Sequence, residues 1–176
     1  MLEQVILVDE HDTELGSQEK IAAHEQAQCH RAFSVFIYRQ HSLGVEILLQ
    51  QRQHSKYHCG GLWTNTCCGH PRPNEETRLA AERRLFEEMG IQTMLSSAGR
   101  FHYIANFSNG LTENEVDHVF IGASPGIIQV NPDEVADYRW ISVSDLEKEI
   151  TLSPELFTPW LPKALAIACK RLDSLI

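Results

Sequence analysis

No run of about 18 apolar residues occurs in this chain, so no segment has the length and apolarity of a transmembrane helix. The N-terminus, residues 1–10, lacks the basic start and small-residue cleavage site of a secretory signal. Excess positive charge is also missing. The formal net charge of −9 disfavours non-specific nucleic-acid binding, which runs on Lys and Arg against phosphate. It leaves room for a small anionic ligand, because a local cluster of a few cations can hold one. Five cysteines, an odd number with two adjacent, do not make a disulfide framework. Reduced thiols and a cytoplasmic setting are expected instead. Repeats and low-complexity segments are absent, and the apolar and charged fractions are those of an ordinary globule. With 176 residues, a single domain over 1–176 is expected, acting as a monomer with no membrane or nucleic-acid partner.

Histidine is plentiful, at nine residues. It is a common metal ligand and the side chain that titrates near neutrality. Residues 5–8 read as a short strand, and 9–16 as polar and turn-like. Residues 19–24 fit either one helical turn or an extended edge. Residues 30–38 are apolar and β-rich, as a buried strand would be, and 45–51 complete a hairpin after Gly44. A polar loop over 53–61 carries Lys56, Tyr57, His58 and Cys59. The clearest helical pattern spans 75–89, with Leu79, Leu85, Phe86 and Met89 on one side and Gly90 as a stop. Residues 99–106 and 116–123 read as strands, separated by a stretch over 108–115 that begins as a loop. A last short strand covers 138–141. Ser142, with Asp145 three residues on, caps a helix to 149. Residues 158–172 form an amphipathic helix with Pro159 and Pro162 near its start. The mixture predicts an α+β sandwich, a mixed, largely antiparallel sheet with helices against it.

One stretch is hard to explain by a globular core alone. Trp63-Thr64-Asn65-Thr66-Cys67-Cys68-Gly69-His70-Pro71 places two thiols and an imidazole directly before the helix of 75–89. From Gly69 the chain continues Gly-x5-Glu75-x7-Arg83-Arg84-Leu85-x-Glu87-Glu88-x-Gly90-Ile91. This resembles the Nudix box, Gly-x5-Glu-x7-Arg-Glu-U-x-Glu-Glu-x-Gly-U with U a bulky aliphatic, and implies the Nudix α/β/α sandwich. One fixed position departs, since Arg84 stands where the box has glutamate. Positions 84, 87 and 88 lie within three and four residues of one another, so their side chains converge. Three glutamates there would bind Mg²⁺ through hard oxygen ligands. Arg84 removes one ligand and sets a cation against Glu88, which argues against an ordinary Nudix hydrolase.

The flanking Trp-Thr-Asn-x-x-Cys-Gly-His-Pro pattern, together with Glu113-Asn114-Glu115-Val116 and Glu19-Lys20-x-x-Ala23-His24 followed by His30, resembles the type 1 isopentenyl diphosphate isomerases, which are Nudix-fold enzymes. These enzymes move a double bond between isopentenyl and dimethylallyl diphosphate by adding a proton at one carbon and removing one from another. Such chemistry needs an acid on one face of the alkene and a base on the other, and carboxyl and thiol groups suit it. The resemblance implies that Cys68 is the reacting thiol and Glu115 the opposing carboxylic acid, with Tyr103 hydrogen-bonded to it. It places Trp160 over the substrate, where a desolvated indole face stabilises a cation by roughly 2 kcal/mol. It gives Lys20, Arg52, Lys56 and Arg84 to the diphosphate, and Glu88 to a substrate-bound Mg²⁺. It implies a metal site of His24, His30, His70, Glu113 and Glu115, whose mixed donors suit Mn²⁺ or Zn²⁺. A Nudix hydrolase of a nucleoside or prenyl diphosphate is the alternative enzyme. A structural zinc site of Cys59, Cys67, Cys68 and His70 is a further alternative, without the usual Cys-x2-Cys pair.

Overall fold

The computed structural model describes residues 2–175. A long strand, β3 (His30–His41), is the spine of a nine-stranded mixed sheet. It pairs antiparallel with β4 (Gly44–Arg52) at its C-terminal end, and parallel with β8 (Thr112–Ala123) over nine residues. At its start it touches β1 (Gln4–Val8) at a single pair, Leu7 with His30, and β1 carries β2 (Glu14–Glu19) beyond it. The outer strands are β7 (Ser96–Asn106) on β8 and β9 (Val135–Ser142) on β4. Among the described strands β3–β8 is the one parallel pairing, beside an isolated parallel bridge of Trp63 with Phe157, so the sheet is largely antiparallel, as expected.

Side chains of β3 alternate between two cores. Phe33, Val35 and Ile37 pack under α2 (Thr77–Met89) with Leu48, Leu85 and Met89. On the opposite face Phe36 joins Ile47, Leu146, Leu161 and Leu165, beneath α3 (Val143–Leu152) and α4 (Leu161–Asp173). This period-two alternation makes the α/β/α sandwich. On α4 the buried residues Leu161, Ala164, Leu165, Ala168 and Leu172 form one helical stripe.

Several local expectations are corrected. Residues 14–19 are strand β2, because they find a partner in β1, which polarity alone does not reveal. Residues 19–24 take the helical option as α1 (Lys20–Glu25), where the Glu19 carboxylate caps Ile21 N at 3.1 Å and Ala22 N at 2.9 Å. Strand β8 begins at Thr112 rather than after a loop to 115, and β9 is twice the expected length. Helix α2 starts two residues late because Glu76 is its N-cap. Its inward face is Ala80, Ala81, Leu85 and Met89, while Leu79 and Phe86 are half exposed. Two small alanines let the helix sit close to the sheet and rotate the larger pair outward. Helix α4 begins at Leu161, three residues late.

Gly90 closes α2 in the left-handed region at φ 66°, with its N–H on Phe86 O at 2.9 Å. A Cβ there would lie 2.6 Å from Gln129 O. Gly90→Ala is therefore expected to lower unfolding stability by more than about 1 kcal/mol, read in urea denaturation.

Candidate functional site

The site begins with a gap in the sheet. β3 and β4 pair only from Ile37 to His41 on β3. Towards the start of β3 they diverge, and residues 63–69 enter between them. β5 (Trp63–Thr64) pairs with β4, and β6 (Cys67–Gly69) pairs with β3. Buried Thr66 bridges the split, accepting from Ile37 N at 2.8 Å and donating to Leu48 O at 2.6 Å. The splay sets Cys68 beside Ser34 and opens a cleft of about 150 Å³. Cys67, next in the chain, points the other way and is fully buried in the α2 core.

Strand register assembles the opposite wall. His30 on β3 pairs with Glu115 on β8, and Glu115 pairs with Tyr103 on β7. Three residues far apart in sequence thus form one row. Glu113, Glu115 and Asp117 alternate onto the same face of β8, and all three are buried. Tyr103 Oη donates to Glu115 Oε2 at 2.6 Å and also touches Glu113. His70 Nε2 lies 2.8 Å and His30 Nε2 3.2 Å from Glu115 Oε1. Burial alone would raise the Glu115 pKa, but these two imidazoles outweigh it and hold the carboxyl well below the usual range. Asp117 has no such partners; burial and the Glu115 charge push its pKa well up. Burial likewise pushes the Cys68 thiol up to about 12, with Arg52 opposing. The thiol contacts Asn65 Oδ1 at 3.2 Å.

Two clusters suit a divalent cation. His24, His30, His70 and Glu115 converge, and His24 is shared with a second group, His58 and Glu113. His24 Nδ1 donates to Lys20 O at 2.7 Å and His30 Nδ1 to Gln28 O at 2.8 Å. Because a carbonyl only accepts, these bonds place a ring proton on Nδ1 and turn Nε2 inward, the arrangement of a metal-ligating histidine; on His24 that nitrogen is a free lone pair, and on His30 it faces the Glu115 carboxylate. Buried His24 Nε2 has no hydrogen-bond partner among the described residues. Burial, then His70 and His30, lower the His24 pKa to about 4, so its lone pair is free at neutral pH. Converging lone pairs beside a carboxylate are costly without protons or a cation between them. The residues fit a divalent metal. The expected five-ligand set is, however, divided: Glu113 sits with His24 and His58 and outside the cluster containing Glu115. The two clusters contain no cysteine, so the zinc alternative finds no support among the described residues.

The remaining expected residues lie around the mouth. Lys20, Arg52, Lys56, Arg84, Glu88 and Trp160 all line the cleft. Lys56 and Arg84 both grip Glu134, Arg84 reaches Glu88 at 2.5 Å, and Lys20 reaches Glu3 at 3.0 Å. Gln50 Nε2 holds the other Glu88 oxygen at 2.8 Å. The Arg52 guanidinium stands 5.6 Å from the Trp160 ring centre, and the Trp160 N–H donates to Asn65 Oδ1 at 3.1 Å. Sequence reasoning passed over Asn65, whose carbonyl joins Cys68 to Trp160, and His58, which it left in a polar loop. Asp117 had a signal in the alternation Glu113, Glu115, Asp117, and Asn65 had one as the asparagine of the Trp-Thr-Asn pattern; His58 had none beyond its neighbours in sequence.

This geometry can be set beside known proteins. The NUDIX domain family matches residues 29–161. The isopentenyl-diphosphate Delta-isomerase of Photobacterium profundum is 49% identical over 176 residues, covering 98% of this chain and 97% of the relative. The chain belongs to the isopentenyl-diphosphate Delta-isomerase family. Isopentenyl-diphosphate Delta-isomerase 2 of Aromatoleum aromaticum, another relative, is 47% identical over 175 residues, covering 98% of this chain and 91% of the relative. Among solved structures, DR0079 from Deinococcus radiodurans superposes with a TM-score of 0.74 at 19% identity, over 93% of this chain and 98% of that one. A MutT protein from Methanosarcina mazei gives 0.63 at 19% identity, over 81% and 95%. Together with the NUDIX domain match, these likenesses give the chain the Nudix fold.

Proposed function

We infer that this chain is an isopentenyl-diphosphate Delta-isomerase that shifts the double bond between isopentenyl and dimethylallyl diphosphate through a tertiary carbocation. The observation that carries the reading is one cleft lined by a thiol, Cys68, and a carboxyl, Glu115, with Trp160 and four basic side chains beside them. A hydrolase needs a metal-held water against phosphorus. An isomerase needs a proton donor and a proton acceptor against carbon, and the cleft offers those.

The diphosphate docks on Lys20, Arg52, Lys56 and Arg84. Lys56 and Arg84 already share the Glu134 carboxylate, which shows their charges can converge on one anion. Arg84 takes the position of a hydrolase ligand and turns it into a phosphate contact. The carbon tail lies against Trp160, whose face stabilises positive charge by roughly 2 kcal/mol. Cys68 serves one face of the alkene, and Glu115, through its hydrogen bond from Tyr103, serves the other. Burial favours the protonated thiol at Cys68, and the two imidazoles favour the ionised form of Glu115. The reaction is reversible, so the pair exchanges roles with direction.

His24, His30, His70 and Glu115 would hold Mn²⁺ or Zn²⁺, with Glu113 reaching it from the neighbouring group through His24, and Glu88 would hold an Mg²⁺ that arrives with the diphosphate. The protein-bound ion supplies charge that fixes Glu115 and tunes its acidity. No described helix is long and apolar enough to cross a membrane. Five unpaired thiols support a cytoplasmic setting.

A proton NMR time course with isopentenyl diphosphate and Mg²⁺ in D₂O tests the reading. Dimethylallyl signals should appear with deuterium in the product and no release of phosphate. Phosphate or monophosphate release without isomerisation would mean a hydrolase.

A further inference from the structure

His58 has no place in the proposed reaction beyond its membership of the second cluster, yet its side chain is 3% exposed and its Nε2 lies 2.7 Å from Glu113 Oε1. It differs from its neighbours in one chemical respect. His24 and His30 each give an Nδ1 proton to a backbone carbonyl, which turns Nε2 toward the cluster. His58 Nδ1 is buried and has no partner among the described residues. Its one close contact is a carboxylate, which only accepts. The proton therefore sits on Nε2, and His58 sets that N–H 2.7 Å from Glu113 Oε1. The ring is held for this task. It stacks on Phe107 at 5.1 Å with 6° between planes, and stands edge-on to Tyr57 at 4.3 Å and to Trp160 at 6.1 Å.

Resting on the metal reading given above, we propose that His58 is a positioning residue which holds Glu113 in place for the cation cluster. Glu113 has two oxygens. Oε2 lies against the Tyr103 hydroxyl, whose one proton is shared with Glu115, and Oε1, the oxygen 3.9 Å from His24 Nε2, lies against His58. The carboxylate is thereby fixed at both ends, with Oε1 still facing His24. His58 also lies in the loop between β4 and β5, six residues after Arg52 and two after Lys56. Its carbonyl accepts from Arg52 Nη2 at 3.3 Å, and Asn109 holds the neighbouring Tyr57 carbonyl at 2.8 Å. The same residue thus ties the segment carrying diphosphate cations to the metal ligands.

Mn²⁺ titration of the cation-free full chain, without substrate, tests this, with free Mn²⁺ followed by electron paramagnetic resonance. His58→Phe keeps the stacking and removes the donor; its Kd should rise about 10–100-fold, the usual cost of losing a partner that orients a ligand. His58→Gln restores an N–H donor and should stay close to wild type. Thermal unfolding in EDTA should be alike for all three, whereas a packing role would lower the melting temperature and leave Kd unchanged. Wild-type affinity in His58→Phe overturns the proposal and leaves the metal site standing. Equal losses in Phe and Gln would make His58 a ligand rather than a donor and overturn it too. No stoichiometric binding by wild type would overturn the metal reading together with it.

Discussion

Cys68→Ala is expected to lower kcat for isopentenyl diphosphate by roughly 10²–10⁴-fold, the range for losing a positioned acid or base, while the chain stays folded. The thiol makes few structural contacts. Its Sγ lies 3.2 Å from Asn65 Oδ1, and Ser34 and Thr64 hydroxyls are at 4.0 and 3.9 Å. Deleting one weak donor costs about 1 kcal/mol. Asn65 also keeps its other partners, Trp160 at 3.1 Å and the Cys67 carbonyl at 2.8 Å, so the wall around the missing sulfur stands. Cys67→Ala is the matched control with the opposite outcome. That thiol is fully buried among Val35, Leu48 and Leu85, so its loss should cost stability by about 1 kcal/mol and leave turnover near wild type. The proton NMR time course and urea denaturation together separate the two. Turnover retained in Cys68→Ala would remove Cys68 from the chemistry.

The family resemblance, phased by Gly69-His70-Pro71, selected Cys68 over Cys67; alternation in a strand adds only that the two neighbours face opposite sides. The wall bearing Glu115 was only partly legible. Alternation foretells that Glu113 and Glu115 share a face, but that His30, Glu115 and Tyr103 form a row depends on inter-strand register, set by pairings across 85 and 12 residues. The motif resemblance supplied what spacing could not. The same limit explains α2. A helical pattern locates the apolar face by large residues, and Leu79 and Phe86 drew it outward; close packing on the sheet favours the small Ala80 and Ala81. His58 was hidden for a further reason. Its loop is polar by composition, and only the fold of residues 53–61 over the cluster buries it.

Glu115→Gln is the second large effect, and it is expected to remove both turnover and tight cation binding while the fold persists. Glutamine matches the shape but carries no charge and has only one accepting oxygen. His30, His70 and Tyr103 all direct themselves at Glu115. If the amide oxygen faces the imidazoles, its NH₂ faces the Tyr103 hydroxyl, which can accept, so the substitution fits without a clash. A drop in kcat of about 10²–10⁴-fold follows from the lost proton acceptor. The charge leaves a second signature, in stability. Glu115, with its native pKa held below the ordinary 4.5, contributes in full above 4.5, and that contribution is lost as pH falls through the depressed native value. His30 is raised above its ordinary 6.5, since burial is outweighed by the Glu115 hydrogen bond and charge. Its contribution is in full below 6.5 and is lost as pH rises through the higher native value. In EDTA the pair therefore stabilises the chain most between pH 4.5 and 6.5. Urea unfolding from acid to neutral pH should show that maximum in wild type and a flatter profile in Glu115→Gln. Identical profiles would mean that Glu115 does not carry the charge assigned to it, and with it the proton-transfer role.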